Sequence, residues 1–462
     1  MFIGIVYILY TMVFIRRIKK PSGIYLALVE SRWENGKPRQ HVIKYLGKEV
    51  EGKPVKKVVN SNISVTEVKK HLDVEIIDKL ASDLGIKDFA PKGAMVMVYS
   101  QLLDRPSINR MEEWLKGTDI LETLGIDRIT TARLYNALEE LGAMDFTRVE
   151  GAIREMAVEN EEMKSLIIDV TDTYFKGESM EDEPRRGKDG KVRKLLQISM
   201  AVTERNGFPI FHKIYDGNIS SKRMFTDMLA TLEKSGYKGV IMDRGFYSQK
   251  NLNGVLSLNL KVICGVVKDR SFRPMLDRLD VGSIYTRKNM VKLRNTTVYC
   301  KAINYMKGRL IEVYNPYLEA IRREHYYESN SDESAAKLLG YSLIYHNTDM
   351  KDEDVVRKYF EKDAVERSFR KMKGIISLRP VRVWLRSHVE AHVRICYMAY
   401  AILSLLEYRI SGLGMSGTEA LETLSTGYRV MLTDRESGLK WDALVELSKK
   451  QSDIRNLVYK NG

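Results

Sequence analysis

Four residues between Tyr359 and Lys373 have side chains and spacings that suit chemistry on phosphate groups. The stretch reads YFEKDAVERSFRKMK and contains nothing that breaks a helix. An α-helix turns ~100° per residue, so one continuous helix would place Tyr359, Lys362, Glu366 and Lys373 on one narrow stripe. The carboxylate can hold a cation while the ammonium groups hold phosphate oxygens. A solvated helix with ion pairs of the i,i+4 type has a similar pattern, so the stripe alone leaves both interpretations open.

Two aspartates come directly after apolar runs that are typical of buried strands. Asp169 stands in SLIIDVTDTYF, and Asp243 stands in GVIMDRGF. A carboxylate at a buried strand end is costly unless something neutralises it, and a pair of Mg²⁺ ions would do so. Two such ions can stabilise both the attacking and the leaving oxygen of a phosphodiester displacement. A local turn or cap role stays open for each aspartate, and Asp172 competes with Asp169 for the first position.

The elements that must position these carboxylates alternate in type. From residue 165 the pattern predicts three strands, a helix, a strand, a helix and a strand. Residues 268–346 contain β-prone runs and a polar helical run, and we interpret them as an insertion. After it, YSLIYHNTD predicts a strand and MKDEDVVRKYF opens the helix that contains Glu366. The predicted class is therefore α/β.

The flanking segments differ in character from this core. Residues 13–60 predict a small β unit around a turn at residues 34–38, and residues 64–160 show helical periodicity that is compatible with DNA binding through a helix-turn-helix. The tail is predicted to be helical and polar. The predicted segments are an apolar extension (1–15), a small β unit (16–60), a helical DNA-binding domain (61–160), the first part of the core (161–267), a β-rich insertion (268–346), the second part of the core with the catalytic helix (347–410) and a helical tail (411–462).

Composition indicates the class of partner. The chain has 462 residues and a formal net charge of +14, which attracts polyanions, with nucleic acid first and an anionic membrane surface second. The cysteines Cys264, Cys300 and Cys396 are far apart and form no CxxC pair. This spacing indicates a reducing compartment, which we expect to be the cytoplasm, and neither a disulfide framework nor a structural zinc site.

The first residues form an apolar segment, MFIGIVYILYTMVFI, followed by a basic run. It is shorter than the ~20 residues that a membrane helix needs. It also has no charged region ahead of it and no small-residue cleavage site after it, so a signal peptide fits poorly. We favour an N-terminal extension and do not expect membrane association, while a membrane anchor or a buried strand stays open as an alternative.

Taken together, these motifs resemble the DDE-type transposases of insertion sequences, in insertion-sequence family 4. That group carries the signature Tyr-x2-Arg-x3-Glu-x6-Lys, and here the spacing is kept with Lys362 in place of the arginine. The first aspartate of the group falls on Asp169 in IIDVT and the second on Asp243 in MDRGF. The resemblance also covers FPIFHKIYDGN, RLIEVYNPYLEAIRRE and the Arg379-Pro380-Val381 that follows the signature.

The resemblance implies a ribonuclease-H-like core with a β-rich insertion, preceded by a helical DNA-binding region. It implies that the protein binds element ends and catalyses DNA strand cleavage and strand transfer. Asp169, Asp243 and Glu366 would hold two Mg²⁺ or Mn²⁺ ions, with no small-molecule cofactor. The DNA-binding residues would be Tyr359, Lys362, Lys373 and Arg379. The partner would be double-stranded DNA, both element ends and target, bound by a homodimer.

Two other functions are compatible with the same motifs. One is a ribonuclease-H-like nuclease or resolvase that cleaves DNA without strand transfer. The other is an inactive DNA-binding derivative, against which the three intact carboxylates argue. Lysine at position 362 keeps the charge of arginine but lacks its bidentate fork, so we expect a weaker grip on phosphate.

Overall fold

The architecture of the chain is given by a computed structural model. It describes residues 12–21, 23–34, 37–50, 53–55, 63–160, 165–174, 185–186, 192–193, 195–268, 272–276, 278, 280–329, 336, 338–360, 362–374, 378, 385–435 and 438–460. The described residues form two compact units. One contains the residues up to Glu67 together with Val430–Ala443, and the other contains Val68–Arg429 together with the C-terminal residues from Leu444 onward.

The N-terminal unit begins with an antiparallel sheet, which confirms the predicted β character of this region. Its strands follow one another in chain order: β1 (Met12–Lys20), β2 (Gly23–Glu34), β3 (Lys37–Val50) and β4 (Lys53–Val55). Residues 12–15, which the sequence assigns to the apolar extension, pair with β2 as part of β1. The remaining residues of that extension, 1–11, lie outside the described residues.

The next segment corrects a prediction. β5 (Ile63–Lys70) is a strand, although helical periodicity was the expectation from residue 64 onward. Its side chains contact a distant part of the chain: the Ser64 hydroxyl donates to the Thr433 carbonyl at 3.4 Å, across 369 residues of sequence. A local pattern cannot report such a partner, and the β-branched Val65 and Val68 suit a strand once the partner is present.

Helices follow, as predicted for this region. They are α1 (Leu72–Asp83), α2 (Lys92–Leu102), α3 (Ile108–Leu115), α4 (Ile120–Thr123), α5 (Thr131–Ala143) and α6 (Thr147–Asn160). α5 begins after Thr130, whose hydroxyl accepts a hydrogen bond from the Arg133 amide at 3.4 Å.

The following elements confirm the predicted order of three strands, helix, strand, helix and strand. They are β6 (Ser165–Tyr174), the short strands β7 (Arg185–Arg186) and β8 (Val192–Arg193) within the polar loop, β9 (Leu195–Thr203), β10 (Pro209–Asp216), α7 (Ser221–Lys234), β11 (Gly239–Met242), α8 (Gln249–Ser257) and β12 (Lys261–Val266).

The rest of the chain contains both strands and helices. The elements are α9 (Arg273–Leu276), α10 (Val281–Ile284), β13 (Met290–Lys292), β14 (Thr297–Tyr305), β15 (Gly308–Tyr314), α11 (Pro316–Ser329), β16 (Tyr341–His346), α12 (Asp352–Phe360), α13 (Asp363–Gly374), α14 (Arg386–Arg409), α15 (Gly417–Leu424), β17 (Tyr428–Asp434), β18 (Lys440–Leu444) and α16 (Lys449–Lys460).

Among the described residues, nine strands form one mixed sheet in the order β10-β9-β6-β11-β12-β16-β15-β14-β13. Its centre is parallel, because β11 runs parallel to both β6 and β12, and the remaining pairs are antiparallel. The strands of the predicted insertion, β13 to β15, therefore extend the main sheet through β16. Of the three parallel strands, β11 ends first, and side chains from β6 and β12 can meet residues that follow β11 at this point.

Two further predictions about helices are wrong. The stretch Tyr359–Lys373 is divided, because α12 ends at Phe360 and α13 begins at Asp363. Tyr359 near the end of α12 and Lys362 between the two helices both contact Asp243, a distant residue that a local pattern does not report. The tail is also mixed, because β17 pairs with β5 on one side and β18 on the other.

The long helix α14 is the central helix of the larger unit. It is long and apolar enough to cross a membrane, but 83% of its apolar window is buried inside the fold, which is typical of a core helix. It packs against α2 and α5, so the helices upstream of the sheet share its hydrophobic core. The Arg394 guanidinium donates to the carbonyls of Gly142 at 3.0 Å and Met144 at 3.1 Å, which ties α14 to the end of α5.

Candidate active site

The two predicted aspartates lie side by side at the parallel centre of the sheet. In the β6–β11 register Ile168 is opposite Met242. Asp169 and Asp243 are the residues that follow them in the chain. Asp243 is still extended, with φ −74° and ψ 161°. Neighbouring strands lie ~4.8 Å apart, so the two aspartates lie close to each other where β11 ends. The buried runs before them explain this placement, because Ile167, Ile168 and Met242 are at most 1% exposed.

The structure also separates Asp169 from its competitor. Successive side chains of a strand point to opposite faces, so Asp172 projects from the face opposite Asp169. Asp169 and Thr171 line a cleft together with residues of α13, whereas Asp172 is not among the lining residues. This arrangement favours Asp169 as the functional carboxylate. The Asp169 carboxylate also accepts a hydrogen bond from the Val170 amide at 2.7 Å.

Glu366 is presented to the same cleft by the amphipathic helix α13. Val365, Phe369 and Met372 are at most 4% exposed and form the apolar side of the helix, which packs on β6 and β9. Glu366 and Arg370 stand on the exposed side. Hydrogen bonds also fix the buried side of the helix: the Ser368 hydroxyl donates to the Gly207 carbonyl at 3.2 Å and accepts from the Tyr400 hydroxyl at 2.6 Å.

The cleft between β6 and α13 has a volume of about 530 Å³ and combines both signs of charge. Its walls carry the carboxylates of Asp169 and Glu366 and the cationic side chains of Arg370 and Lys373. Such a lining can hold a divalent cation beside phosphate oxygens. Sequence reasoning missed Arg370. Its position four residues after Glu366, on the same helical face, was the signal that could have found it.

Asp243 has a different environment from the other two carboxylates. One of its oxygens, Oδ1, accepts from the Lys362 ammonium at 3.0 Å and from the Tyr359 hydroxyl at 3.1 Å. Burial alone would raise the pKa of Asp243, but the charge and hydrogen bond of Lys362 outweigh this and leave the pKa below its ordinary value. Burial raises the pKa of Tyr359, so its hydroxyl stays protonated and donates.

The predicted DNA-binding residues are distributed between two places. Tyr359 and Lys362 lie at Asp243, and the Lys362 ammonium also stands over the Tyr359 ring at 4.2 Å from its centroid. Lys373 lines the cleft and its ammonium lies 5.8 Å from the centroid of the Phe369 ring. Arg379 lies outside the described residues.

The three carboxylates suit a hard divalent cation in their chemistry, since all donors are carboxylate oxygens. Asp169 has Asp243 beside it on one side and Glu366 across the cleft on the other. Among the residues that the structure describes, however, no three acidic, histidine or cysteine side chains approach closely enough to form a metal cluster. Asp243 is paired with Lys362, so a positive charge already lies beside this carboxylate.

The chain is similar to a known protein family over much of its length. A family model described as "Transposase DDE domain" matches residues 161–402, which is more than half of the chain. Among curated proteins no match is found. Six solved chains match. One, from the cryo-EM structure of the piggyBac transposase synaptic complex with hairpin DNA, has a TM-score of 0.44 at 11% identity, and the alignment covers 77% of this chain and 78% of that chain.

Proposed function

Because the chain belongs to the transposase DDE domain family, we propose that it is the transposase of an insertion sequence of family 4, which cleaves element ends and joins them to target DNA. The mixed α/β fold with its large sheet is consistent with a ribonuclease-H-like transposase. Transposases of the DDE family act on DNA and generally use divalent metal ions. The finer assignment to family 4 is supported by the Tyr-Lys-Glu-Lys spacing at Tyr359, Lys362, Glu366 and Lys373.

One observation carries this proposal. Asp169 and Asp243 follow paired positions of neighbouring parallel strands, and Glu366 stands on the wall of the cleft that Asp169 lines. These residues are far apart in sequence, and their positions on β6, at the end of β11 and on α13 support the proposal that they act together. Three carboxylates with cations nearby suit a phosphodiester better than a neutral substrate.

In the proposed mechanism, Asp169, Asp243 and Glu366 would hold two Mg²⁺ or Mn²⁺ ions, and such ions would supply stabilisation of the charge on the attacking and leaving oxygens. Water attacks phosphorus at the element end, the P–O3′ bond breaks, and a 3′ hydroxyl and a 5′ phosphate result. That 3′ hydroxyl then attacks a target phosphodiester and displaces its 3′ oxygen. Lys373 and Arg370 hold DNA phosphates along the cleft, and Arg379 is proposed to extend this contact.

Asp243→Asn tests the proposal directly. The purified full-length protein is incubated with Mg²⁺, a duplex that ends in the inverted repeat found beside the gene, and a target plasmid. We expect the variant to lose end cleavage and joining while it binds the duplex as the unchanged protein does, since asparagine keeps the size of the side chain and removes the charge. Asp349→Asn is the control, because Asp349 is 93% exposed and pairs with Lys261, which is opposite Gly239 at the start of β11, whereas Asp243 follows the end of β11. Cleavage by Asp243→Asn at the normal rate would remove Asp243 from the site.

Lys373→Ala tests the phosphate contact. We expect weaker binding of the duplex and a decrease of about one unit in the slope of log affinity against log salt concentration, as for the loss of one phosphate contact. Binding is measured by fluorescence anisotropy at several salt concentrations. Lys371→Ala is the matched control on the same helix, because Lys371 pairs with Glu407 instead of lining the cleft. An unchanged slope for Lys373→Ala would mean that Lys373 contacts no phosphate.

The same reaction separates strand transfer from cleavage alone. Insertion of the end duplex into the plasmid supports a transposase, and cleavage without insertion would indicate a nuclease or resolvase. We propose that a homodimer brings the two ends together in the cytoplasm, and light scattering with and without end DNA measures the oligomeric state.

A further inference from the structure

Lys362 lies in a position that its proposed contact with DNA does not explain. Its side chain is 17% exposed, its ammonium is 3.0 Å from Oδ1 of Asp243, and the Asp243 side chain is 48% exposed. The ammonium also lies over the Tyr359 ring. The lysine is therefore the more buried partner, and it is directed toward the sheet.

The surroundings hold this pair in place. The Tyr359 hydroxyl donates to the same oxygen of Asp243, and Tyr359 itself is 8% exposed. Lys362 is outside both helices, between the end of α12 and the start of α13. A lysine there has a flexible four-carbon stem and a single point charge, unlike the bidentate arginine of the signature. It can therefore exchange one partner for another without moving the helices.

The ion pair and a metal ion compete for the same carboxylate. A divalent cation bound to Asp243 would lie close to the Lys362 ammonium, and two positive centres near one another in a partly buried place repel strongly. Binding of the cation thus requires that Lys362 leave or move. A DNA phosphate offers the ammonium another partner, and Arg370 and Lys373 on the cleft wall attract phosphates to this region.

We propose that Lys362 is an internal counter-ion of Asp243 that competes with divalent cations, and that DNA withdraws it, so that metal binding is coupled to DNA binding. This inference rests on the proposed function in one respect, namely that Asp243 is a metal ligand. It assigns Lys362 two alternating partners: the carboxylate in the free protein and a phosphate in the DNA complex. Coupling of this kind is reciprocal, so metal also strengthens DNA binding.

Mn²⁺ titration of the full-length protein without DNA, with free Mn²⁺ measured by electron paramagnetic resonance, tests the competition. We expect Lys362→Met to bind Mn²⁺ about tenfold more tightly than the unchanged protein, a factor that corresponds to ~1.4 kcal/mol. Lys362→Arg keeps the charge and should bind no more tightly. Lys358→Met is the matched control, because Lys358 pairs with Glu204 at 2.8 Å and is similarly shielded, at 21% exposure. Equal affinity of Lys362→Met and the unchanged protein would overturn the inference.

A second measurement tests the coupling with DNA, and a check of folding precedes it. Circular dichroism and thermal melting first establish that each variant is folded, and Lys362→Gln replaces Lys362→Met if the latter is not. End duplex should then increase the Mn²⁺ affinity of the unchanged protein several-fold more than that of the variant, after subtraction of the Mn²⁺ that Asp243→Asn and DNA bind together. Equal increases would contradict the coupling.

The two proposals fail in distinguishable ways. If Asp243→Asn retains the Mn²⁺ site, Asp243 is no metal ligand and the proposed function loses its second carboxylate. If Asp243→Asn loses the site but Lys362→Met binds Mn²⁺ as the unchanged protein does, only the counter-ion role is wrong.

Discussion

Glu366→Gln is expected to reduce metal-dependent end cleavage roughly a thousandfold while the melting temperature stays the same. Outer-shell partners of a metal ligand typically contribute 10–100-fold, so loss of a ligand itself should have a larger effect. Stability should not change, because Glu366 is on the exposed side of α13 and the apolar side of that helix supplies the packing. Single-turnover cleavage of the end duplex in Mg²⁺ measures the rate.

Glu422→Gln is the matched control for this experiment. Glu422 is also an exposed glutamate in a helix, α15. Its replacement should leave both the cleavage rate and the melting temperature unchanged. A variant at Glu366 that cleaves within a factor of a few of the normal rate would exclude this carboxylate from the site.

Gly265→Ala is expected to disrupt the Asp243 site from the neighbouring strand. Gly265 lies in β12, one residue beyond Cys264, which is opposite Met242 in β11. A Cβ at this position would overlap the Tyr359 hydroxyl and would stand 2.9 Å from Cζ of Tyr359 and 3.1 Å from Cβ of Arg244. The absence of a side chain at Gly265 is therefore what lets Tyr359 reach Asp243.

The expected cost is that of an overpacked core. The unfolding free energy should fall by about 1–3 kcal/mol, because the alanine methyl forces Tyr359 or its backbone to move. Cleavage should fall as well, since displacement of Tyr359 removes a hydrogen bond from Asp243. Urea denaturation followed by circular dichroism measures the first effect, and the cleavage assay measures the second.

A double variant identifies the clash as the cause. Tyr359→Phe in the Gly265→Ala background removes the atom that lies nearest the added methyl, so part of the lost stability should return, while the contacts with Cζ and with Arg244 keep the recovery incomplete. Gly412→Ala should be nearly neutral, because no atom lies within 4 Å of a Cβ built there. If Gly265→Ala is as stable as Gly412→Ala, the close approach of Tyr359 does not constrain position 265.

Local patterns were sufficient for the parts of the site that depend on neighbouring residues in sequence. An apolar run followed by aspartate indicated that Asp169 and Asp243 come directly after buried strand residues, because burial of a strand is a local property. The predicted strand end is correct for Asp243 but wrong for Asp169, because pairing with β9 continues β6 to Tyr174. The charge of +14 likewise indicated a polyanionic partner without any knowledge of the fold. The alternation of strands and helices through the core was predicted in the correct order for the same reason.

Other features depend on contacts between distant segments. Helical periodicity predicted one helix through Tyr359 and Lys362, yet the structure has two helices there, and both side chains contact Asp243, more than a hundred residues earlier. The same limit applies to β5, a strand that needs its partner β17 near the end of the chain. No local pattern records such a partner.

The sequence by itself determined that an aspartate follows each of two buried apolar runs and which residues occupy the exposed side of α13, since periodicity and burial follow from neighbouring residues. Only the tertiary structure decided that Lys362 faces Asp243 and that Gly265 admits the Tyr359 hydroxyl. Both contacts depend on how three segments that are far apart in the chain pack against one another.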